Sequence, residues 1–408
     1  MKRNLLENSI KKKKIAYISD NQFMLDRSDA ESEQVINTVS TLAAEGLNIE
    51  LVIPRMWRNL GVAAESRKQA IGNYYRVANG FGLKELLHLP RMPLRLEKYS
   101  HALLASPYAR LKHHDLIYTR HRASLLLALQ LGLPVVFETY RIYARSPLNC
   151  AKKIAKLSHR RNLLGIITHS IPAKESLVQA GADENKIAVI HNGFNPALLA
   201  PRLSQQEARK QLGWTEDDQI VCYAGRLDKM KGLEMVLQMA ARLPALKFYF
   251  IGKTVSDRAD WITTAARRDQ LKNVKQFPWA PVLELPKYLF ASDVLLIPPS
   301  AKPMMQYGRT ILPIKTFLYL SAGVPILAPD LPDTQGVLHE KNAALVPPDD
   351  VESASVALRK LFADRAWAHS IARQARLDSE KFTWQQRAKR IAEFLSQRLQ
   401  EYEKVSAR

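Results

Sequence analysis

"YAGRLDKMKGLEMVLQMA" (residues 223–240) passes from an apolar run through a glycine and a cluster of cations into a helical pattern. The run that leads into it, "QIVCYAGR" (219–226), reads as a buried strand, and residues 231–243 read as a helix. Gly225, Arg226, Lys229 and Lys231 therefore fall directly after a strand and before a helix. Backbone N–H groups and the helix dipole favour an anion at such a position. Glycine lets the backbone come close, arginine offers a planar fork and lysine a mobile point charge. The set suits a diphosphate. A surface loop with solvated charges is the competing reading of the same residues.

The pattern repeats on both sides. Downstream, strands are expected at 246–253, 274–279, 294–300, 324–330 and 343–350. Helices are expected at 257–271, 282–293, within "LPIKTFLYLSAG" (312–323), at 351–378 and at 383–402. Upstream, "KIAYISD" (14–20), residues 28–46 and "NIELVIP" (48–54) make a strand–helix–strand unit, for which a parallel sheet is the default. Strands at 114–120, 134–139, 164–170 and 186–193 alternate with helices at 122–131 and 171–181. The basic segment 55–113 is less regular and is expected to hold helices covering one face. "FNPALLAPRLS" (194–204), with two prolines, suits a linker. The fold class is α/β: two tandem Rossmann-like doubly wound domains, at 1–200 and 201–380, with a last helix at 381–408. Ligands in such sheets bind beyond the carboxyl ends of the strands, so a cleft between two facing domains is expected.

Bulk composition narrows the partners. A chain of 408 residues exceeds one ordinary core, and 47% hydrophobic with 24% charged residues is a globular composition. The net charge of +21 favours an anionic partner. No acid occurs between Glu138 and Glu175, an interval that holds Lys152, Lys153, Lys156, Arg160 and Arg161. A second basic stretch runs from Lys84 to Arg122. Either is an ordinary solvated face or a contact for anionic lipid, where each cation adds about 1 kcal/mol. The two cysteines, Cys150 and Cys222, form no CxxC pair, which suits a reducing cytoplasmic compartment without structural zinc. Lys11–Lys14 break any signal-peptide pattern, and the apolar stretch 124–137 is too short to span a bilayer. Membrane contact, if made, is expected to be peripheral, on the inner face.

Several motifs together resemble those of the GT-B glycosyltransferases of family 4 (group 1). "YAGRLDKMKGLEMVLQMA" is similar to that family's Gly-Arg-Leu and Lys-Gly signature, and "ASDVLLIPPS" (291–300) to its Ala-Asp-Val strand. "PIKTFLYLSAGVPILAPDLP" (313–332) resembles its lysine-bearing helix followed by Ala-Gly-x-Pro-Ile. "NAALVPPDD" (342–350) resembles its late turn, and "KFTWQQRAKRI" (381–391) its closing helix, which in the family crosses back to the first domain. In the first half, "GLPVVFETYR" (132–141) and the stretch 165–196 follow the family's order, with His191, Asn192 and Gly193 at its Pro-Asn-Gly turn.

The resemblance implies transfer of a sugar from a nucleotide diphosphate sugar with retention, as in polysaccharide biosynthesis. It implies a glycan or lipid-linked acceptor and no metal or other cofactor. Arg226 and Lys231 would hold the diphosphate and stabilise its growing charge. Gly225, Lys315, Leu318 and the turn Ser321-Ala322-Gly323 would lie beside the nucleotide. Ser28, Arg120, Glu138 and Tyr140 would lie on the acceptor or sugar side. A lone lysine such as Lys315 otherwise snorkels to solvent, and His121 and His169 read more simply as structural. Trp214, Trp261 and Trp279 read as packing residues.

Departures from the family pattern favour a rival. Where many members carry two glutamates, the second binding ribose, this chain has Thr310 and Leu318. Leucine cannot accept a hydrogen bond from a hydroxyl, and a charge-assisted bond of that kind is worth about 1.5–3 kcal/mol. A histidine common near Tyr140, and a glycine pair common in the first loop, are also absent. The alternative is a catalytically impaired scaffold on the same fold. A nucleic-acid binder is a weaker alternative, motivated by charge alone.

Overall fold

Two all-parallel sheets organise the chain, which we describe from a computed structural model over residues 10–23, 25, 30–87, 96–143, 150–253, 261–308, 312 and 314–406. The first sheet is built from β1 (Lys14–Ile18), β2 (Asn48–Arg55), β3 (Gly82–Leu87), β4 (Leu116–Thr119), β5 (Val135–Thr139), β6 (Leu163–Thr168) and β7 (Ile187–Val189). The second contains β8 (Ile220–Ala224), β9 (Lys247–Ile251), β10 (Val274–Phe277), β11 (Val294–Leu296), β12 (Ile326–Pro329) and β13 (Ala344–Val346). Their spatial orders are β3-β2-β1-β4-β5-β6-β7 and β10-β9-β8-β11-β12-β13. Each reverses direction beside its first strand, between β1 and β4 and between β8 and β11. Ligands of open α/β sheets bind at such switch points.

Alternation along the strands builds a core on each face. Ile15 and Tyr17 of β1 pack with Val35 and Val39 of the helix Ala30–Ala44, while Ala16 and Ile18 face Ala105, Leu125 and Ile154. In register, Tyr17 stands opposite Tyr118 of β4, and the two rings lie 4.8 Å apart. In the second sheet, Val221 and Tyr223 meet Val236 and Ala240 of the helix Leu233–Arg242. Cys222 and Ala224 face Phe317 and Leu320 of the helix Ile314–Ala322. Each large apolar side chain so buried contributes about 1.5–3 kcal/mol.

The chain divides into two compact units, one ending at Asn192 and resuming at Trp384, the other Gly193–Thr383. The linker expected at 194–204 is instead part of the second unit. Phe194 and Leu199 are buried in its core, and the Phe194 N–H donates to the Phe382 carbonyl over 3.0 Å. The last helix, Trp384–Ser406, belongs to the first unit, where Ile391, Leu395 and Leu399 enter the core. Gly165 of β6 permits this approach, since a Cβ there would lie 2.5 Å from the Phe394 ring.

Two expectations need correction and one gains detail. Segment 55–113 holds the strand β3 as well as helices; "GLKELL" is a half-buried edge strand without β-branched residues, so it carries little strand signal. The helical reading of 351–378 holds, as two helices, Val351–Ala363 and Arg365–Ser379, parted at Asp364, whose side chain caps the second by accepting from the Trp367 N–H at 2.9 Å. The helix expected from Lys231 begins at Leu233, after a 3₁₀ turn at Lys229–Lys231.

Candidate functional site

In the second unit the switch point is the end of β8. Gly225 follows with φ +155°, and its N–H bonds the Ile251 carbonyl of β9 at 2.8 Å. A Cβ at Gly225 would run into the ammonium group of Lys315. Lys315 reaches this point from the first turn of the helix Ile314–Ala322. Its Nζ donates to the Ala224 carbonyl and sits 5.2 Å from the centre of the Tyr223 ring. One turn on, the Tyr319 hydroxyl accepts from the Ala224 N–H at 2.8 Å and lies 3.3 Å from the Ala224 carbonyl. Residues four apart share a helix face, so Lys315 and Tyr319 together lock the helix onto the strand end.

The loop that follows carries the other cations. The Tyr223 hydroxyl holds the Arg226 carbonyl at 3.0 Å. The Arg226 side chain is half exposed and 3.4 Å from the Asp228 carboxylate. With the guanidinium half in water, a single 3.4 Å contact of this kind is worth on the order of 1 kcal/mol, so Arg226 can turn to another anion at little cost. Lys231 ends the 3₁₀ turn, which closes at Gly232 in the left-handed region, φ +70°. A Cβ at Gly232 would collide with Ser300, and Ser300 is fixed by a 2.7 Å hydrogen bond to Asp349. Lys231 and Lys315 line one pocket with Tyr223, Leu296, Ile297, Pro298, Pro303 and Tyr319. Its volume of about 50 Å³ has room for a few water-sized groups. Two cations thus meet at the carboxyl ends of β8 and β11, against mostly apolar walls that strengthen their field.

The remaining donor-side candidates lie elsewhere. Ser321, Ala322 and Gly323 end the same helix, seven residues or roughly 10 Å from Lys315. There Arg202 donates to the Ala322 carbonyl and, at 3.4 Å, to that of Ser321, and it stacks 5.0 Å from the Phe290 ring. The turn is therefore a helix C-cap already occupied by a guanidinium, rather than a wall of the pocket. Leu318 is 5% exposed and belongs to the apolar core. Thr310 lies outside the described residues.

In the first unit the expectation that Glu138 faces a ligand is corrected: its carboxylate is fully buried, with both oxygens engaged. Oε1 accepts from Gln34 at 2.6 Å, His169 Nε2 at 2.5 Å and Arg387 at 2.8 Å, and Oε2 accepts from the Tyr118 hydroxyl. Burial alone would raise the Glu138 pKa, but the Arg387 charge, the His169 bond and Arg120 outweigh it and hold the acid well below the carboxylate range. Burial lowers the His169 pKa to about 4, against the pull of Glu138. The imidazole is then neutral, with Nε2–H donating to Glu138 and Nδ1 3.3 Å from the Asn192 amide. His191 Nδ1 donates to the His169 carbonyl at 2.7 Å. Arg387 also donates to Thr38 at 2.8 Å and to the His191 carbonyl at 3.1 Å, tying the last helix to the helix Ala30–Ala44 and to the end of the sheet.

Arg120 and Tyr140 are brought together above this network. Arg120 donates to the Gln34 side-chain carbonyl and lies 5.5 Å from the centre of the Tyr140 ring. Ser28 lies outside the described residues. Gln34, Arg387, Tyr319 and Arg202 were not singled out from the sequence. For Tyr319 a signal existed, its spacing of four from Lys315; for Arg387, distant in sequence from Glu138, there was none.

Comparison with known proteins gives two family matches. The profile described as "Glycosyl transferases group 1" matches residues 204–378, and "Glycosyltransferase Family 4" matches residues 32–198. The sulfoquinovosyl transferase SQD2 of Arabidopsis thaliana is 24% identical over 244 residues, covering 57% of this chain and 44% of that protein. An uncharacterized glycosyltransferase of Methanocaldococcus jannaschii is 25% identical over 234 residues, covering 55% and 57%. The chain thus spans about half the length of these curated relatives. Among solved structures, the sucrose-phosphate synthase of Thermosynechococcus elongatus superposes with a TM-score of 0.74 at 20% identity, over 95% of this chain and 99% of that one. HepE of Anabaena, solved with UDP and glucose, does so with a TM-score of 0.71 at 16% identity, over 94% and 99%. At these identities the likeness is one of fold.

Proposed function

The chain belongs to the GT-B glycosyltransferases of the group 1 and family 4 type, and we propose that it transfers a sugar from a nucleotide diphosphate sugar to a glycan or lipid-linked acceptor. One observation carries the reading: Lys231 and Lys315 converge on one pocket beside Gly225, where the second sheet reverses direction. That the related fold of HepE was solved with UDP and with UDP-glucose supports a UDP-sugar as the first donor to test.

In the transfer, the bond between the anomeric carbon and the β-phosphate oxygen breaks. The acceptor hydroxyl oxygen bonds the same carbon on the same face, and its proton passes to the departing diphosphate. Lys231, Lys315 and a reoriented Arg226 stabilise the one additional negative charge that the diphosphate gains as the bond breaks and until the proton arrives, a task that needs no divalent metal. Their worth rises in a pocket walled by proline, leucine and isoleucine. The helix Cys150–Ser158 exposes Lys152, Lys153 and Lys156 while burying Ile154 and Ala155. This basic face supports peripheral contact with anionic lipid on the cytoplasmic side. Among the described residues no helix is long and apolar enough to cross a membrane.

A second reading, a nucleotide-binding scaffold without turnover, is favoured by Leu318, which is buried in the apolar core at the position where the family resemblance implies a ribose-binding glutamate. Incubation with UDP-, GDP-, ADP- and TDP-sugars, followed by calorimetry and by product analysis, separates the two. Binding with turnover is expected. Binding without turnover on any donor and acceptor supports the scaffold, and the absence of any nucleotide binding overturns both.

A further inference from the structure

Tyr140, the first residue after β5, has two arginines against its ring. The guanidinium carbon of Arg120 is 5.5 Å from the ring centre and that of Arg141 is 5.7 Å, so the two charges are at most about 11 Å apart. Arg120 immediately follows β4 and Arg141 lies two residues beyond β5, both at the carboxyl edge of the first sheet and next to its switch point. Arg141 is exposed, and Arg120 and Tyr140 are partly so.

The buried network beneath fixes this arrangement. Glu138 holds Gln34, which receives the hydrogen bond from Arg120. Glu138 also holds His169, whose ring centre is 6.4 Å from that of Tyr140. Arg387 makes the direct ion pair with Glu138, so the carboxylate is already matched and Arg120 bonds a neutral amide instead. Among the described residues neither Arg120 nor Arg141 is ion-paired. Arg120, held on the buried network through Gln34 and within the field of Glu138 and Glu31, and the exposed Arg141 present two guanidinium forks beside one aromatic ring, a pairing suited to an oxyanion.

We propose that Arg120 and Arg141, flanking Tyr140, bind a phosphate group carried by the acceptor. The proposal rests on the glycosyltransferase reading for the word acceptor, but the anion site itself does not. A phosphate offers a tetrahedral set of oxygens to two forks, whereas a carboxylate is saturated by one. The Tyr140 ring beside it offers an apolar face to the body of the phosphorylated molecule.

The test uses the full chain with Arg226→Ala, Lys231→Ala and Lys315→Met, so that phosphate does not report the diphosphate pocket. Calorimetry at constant ionic strength measures inorganic phosphate, acetate and a hexose 1-phosphate. Phosphate is expected to bind more tightly than acetate, and the hexose phosphate more tightly than phosphate. Arg141→Gln, at an exposed position, should weaken both phosphates about tenfold, the size of one lost charge-assisted bond. Arg120→Lys, checked for folding by circular dichroism, should do the same, because a point charge cannot reproduce the fork. Phosphate affinity unchanged in both variants, or no phosphate binding in their parent, overturns the site. Equal affinity for phosphate and hexose phosphate overturns its assignment to the acceptor. UDP binding to the unsubstituted chain is measured separately, so its failure bears on the donor reading alone.

Discussion

The ammonium group of Lys315 is hydrogen-bonded to the backbone carbonyl of Ala224, the last residue of β8. A cation that a sequence reader would send to solvent is thereby pinned to the strand end from which the diphosphate loop departs. Lys315→Met keeps the stem and removes the charge. It should lower affinity for UDP about tenfold or more, with little change in thermal unfolding, since the Tyr319 bonds to Ala224 remain. Calorimetric titration with UDP checks this, and wild-type affinity in the variant would remove Lys315 from the site.

Arg226 and Lys231 should matter separately. Each alanine variant is expected to bind UDP about ten- to a hundredfold more weakly, the range for one lost charge-assisted hydrogen bond. Arg226 itself is half exposed and makes a single 3.4 Å contact with the partly buried Asp228. Urea midpoints should therefore stay close to the parent. Unchanged UDP affinity in both variants would exclude the diphosphate assignment.

Glu138 and Arg387 form a buried pair, and removing one partner strands the other's charge. Arg387→Met is expected to destabilise the first unit by about 3–5 kcal/mol. Glu138→Gln in the same chain should recover part of that loss, because the uncompensated charge is gone. A double-mutant cycle from denaturant unfolding measures the coupling, and strict additivity would contradict the contact.

Acid should weaken the first unit from a higher pH than carboxylates alone would dictate. The pKa of His169 falls from near 6.5 to about 4 on folding. The unfolded chain therefore binds more protons in that window, and stability falls as pH drops from about 6.5 toward 4, by up to roughly 1.4 kcal/mol per pH unit. Glu138, depressed in the fold, acts with the same sign at lower pH. His169→Gln, which keeps a donor toward Glu138, should flatten the slope between pH 6.5 and 4. An identical slope in the variant would place the titrating group elsewhere.

Lipid contact has its own readout. Reversal of Lys152, Lys153 and Lys156 to glutamate should release the protein from anionic vesicles in flotation, at about 1 kcal/mol per charge before reversal. Neutral vesicles should hold neither form. Equal flotation of both forms with anionic vesicles would discount this face.

Much of the fold was legible because β-strands buried on both faces leave unbroken apolar runs, as in "KIAYI" and "IVCYA". The edge strand β3 was not, since its side chains are only half buried and obey no strong pattern. At the site, Gly225, Lys231 and Lys315 were readable from local motif and do come together. Ser321–Gly323 fall at the far end of the helix from Lys315, where Arg202 caps the carbonyls, a position that motif adjacency alone does not reveal. Glu138 looked like a cleft residue at a strand terminus. Its true partners come from four other segments, and long-range pairing of that kind leaves no trace in one sequence.

The last helix gives the first unit a dependence on time. Glu138 and Arg387 are 249 residues apart, yet they share one buried ion pair. During synthesis at about 5–20 residues per second, roughly 10–50 s separate their appearance. Over that interval Glu138 lacks its direct ion-pair partner and the surface of β6 around Gly165 lacks its covering ring. The unit that begins first is finished last, because its core and its buried ion pair are completed only by the closing helix.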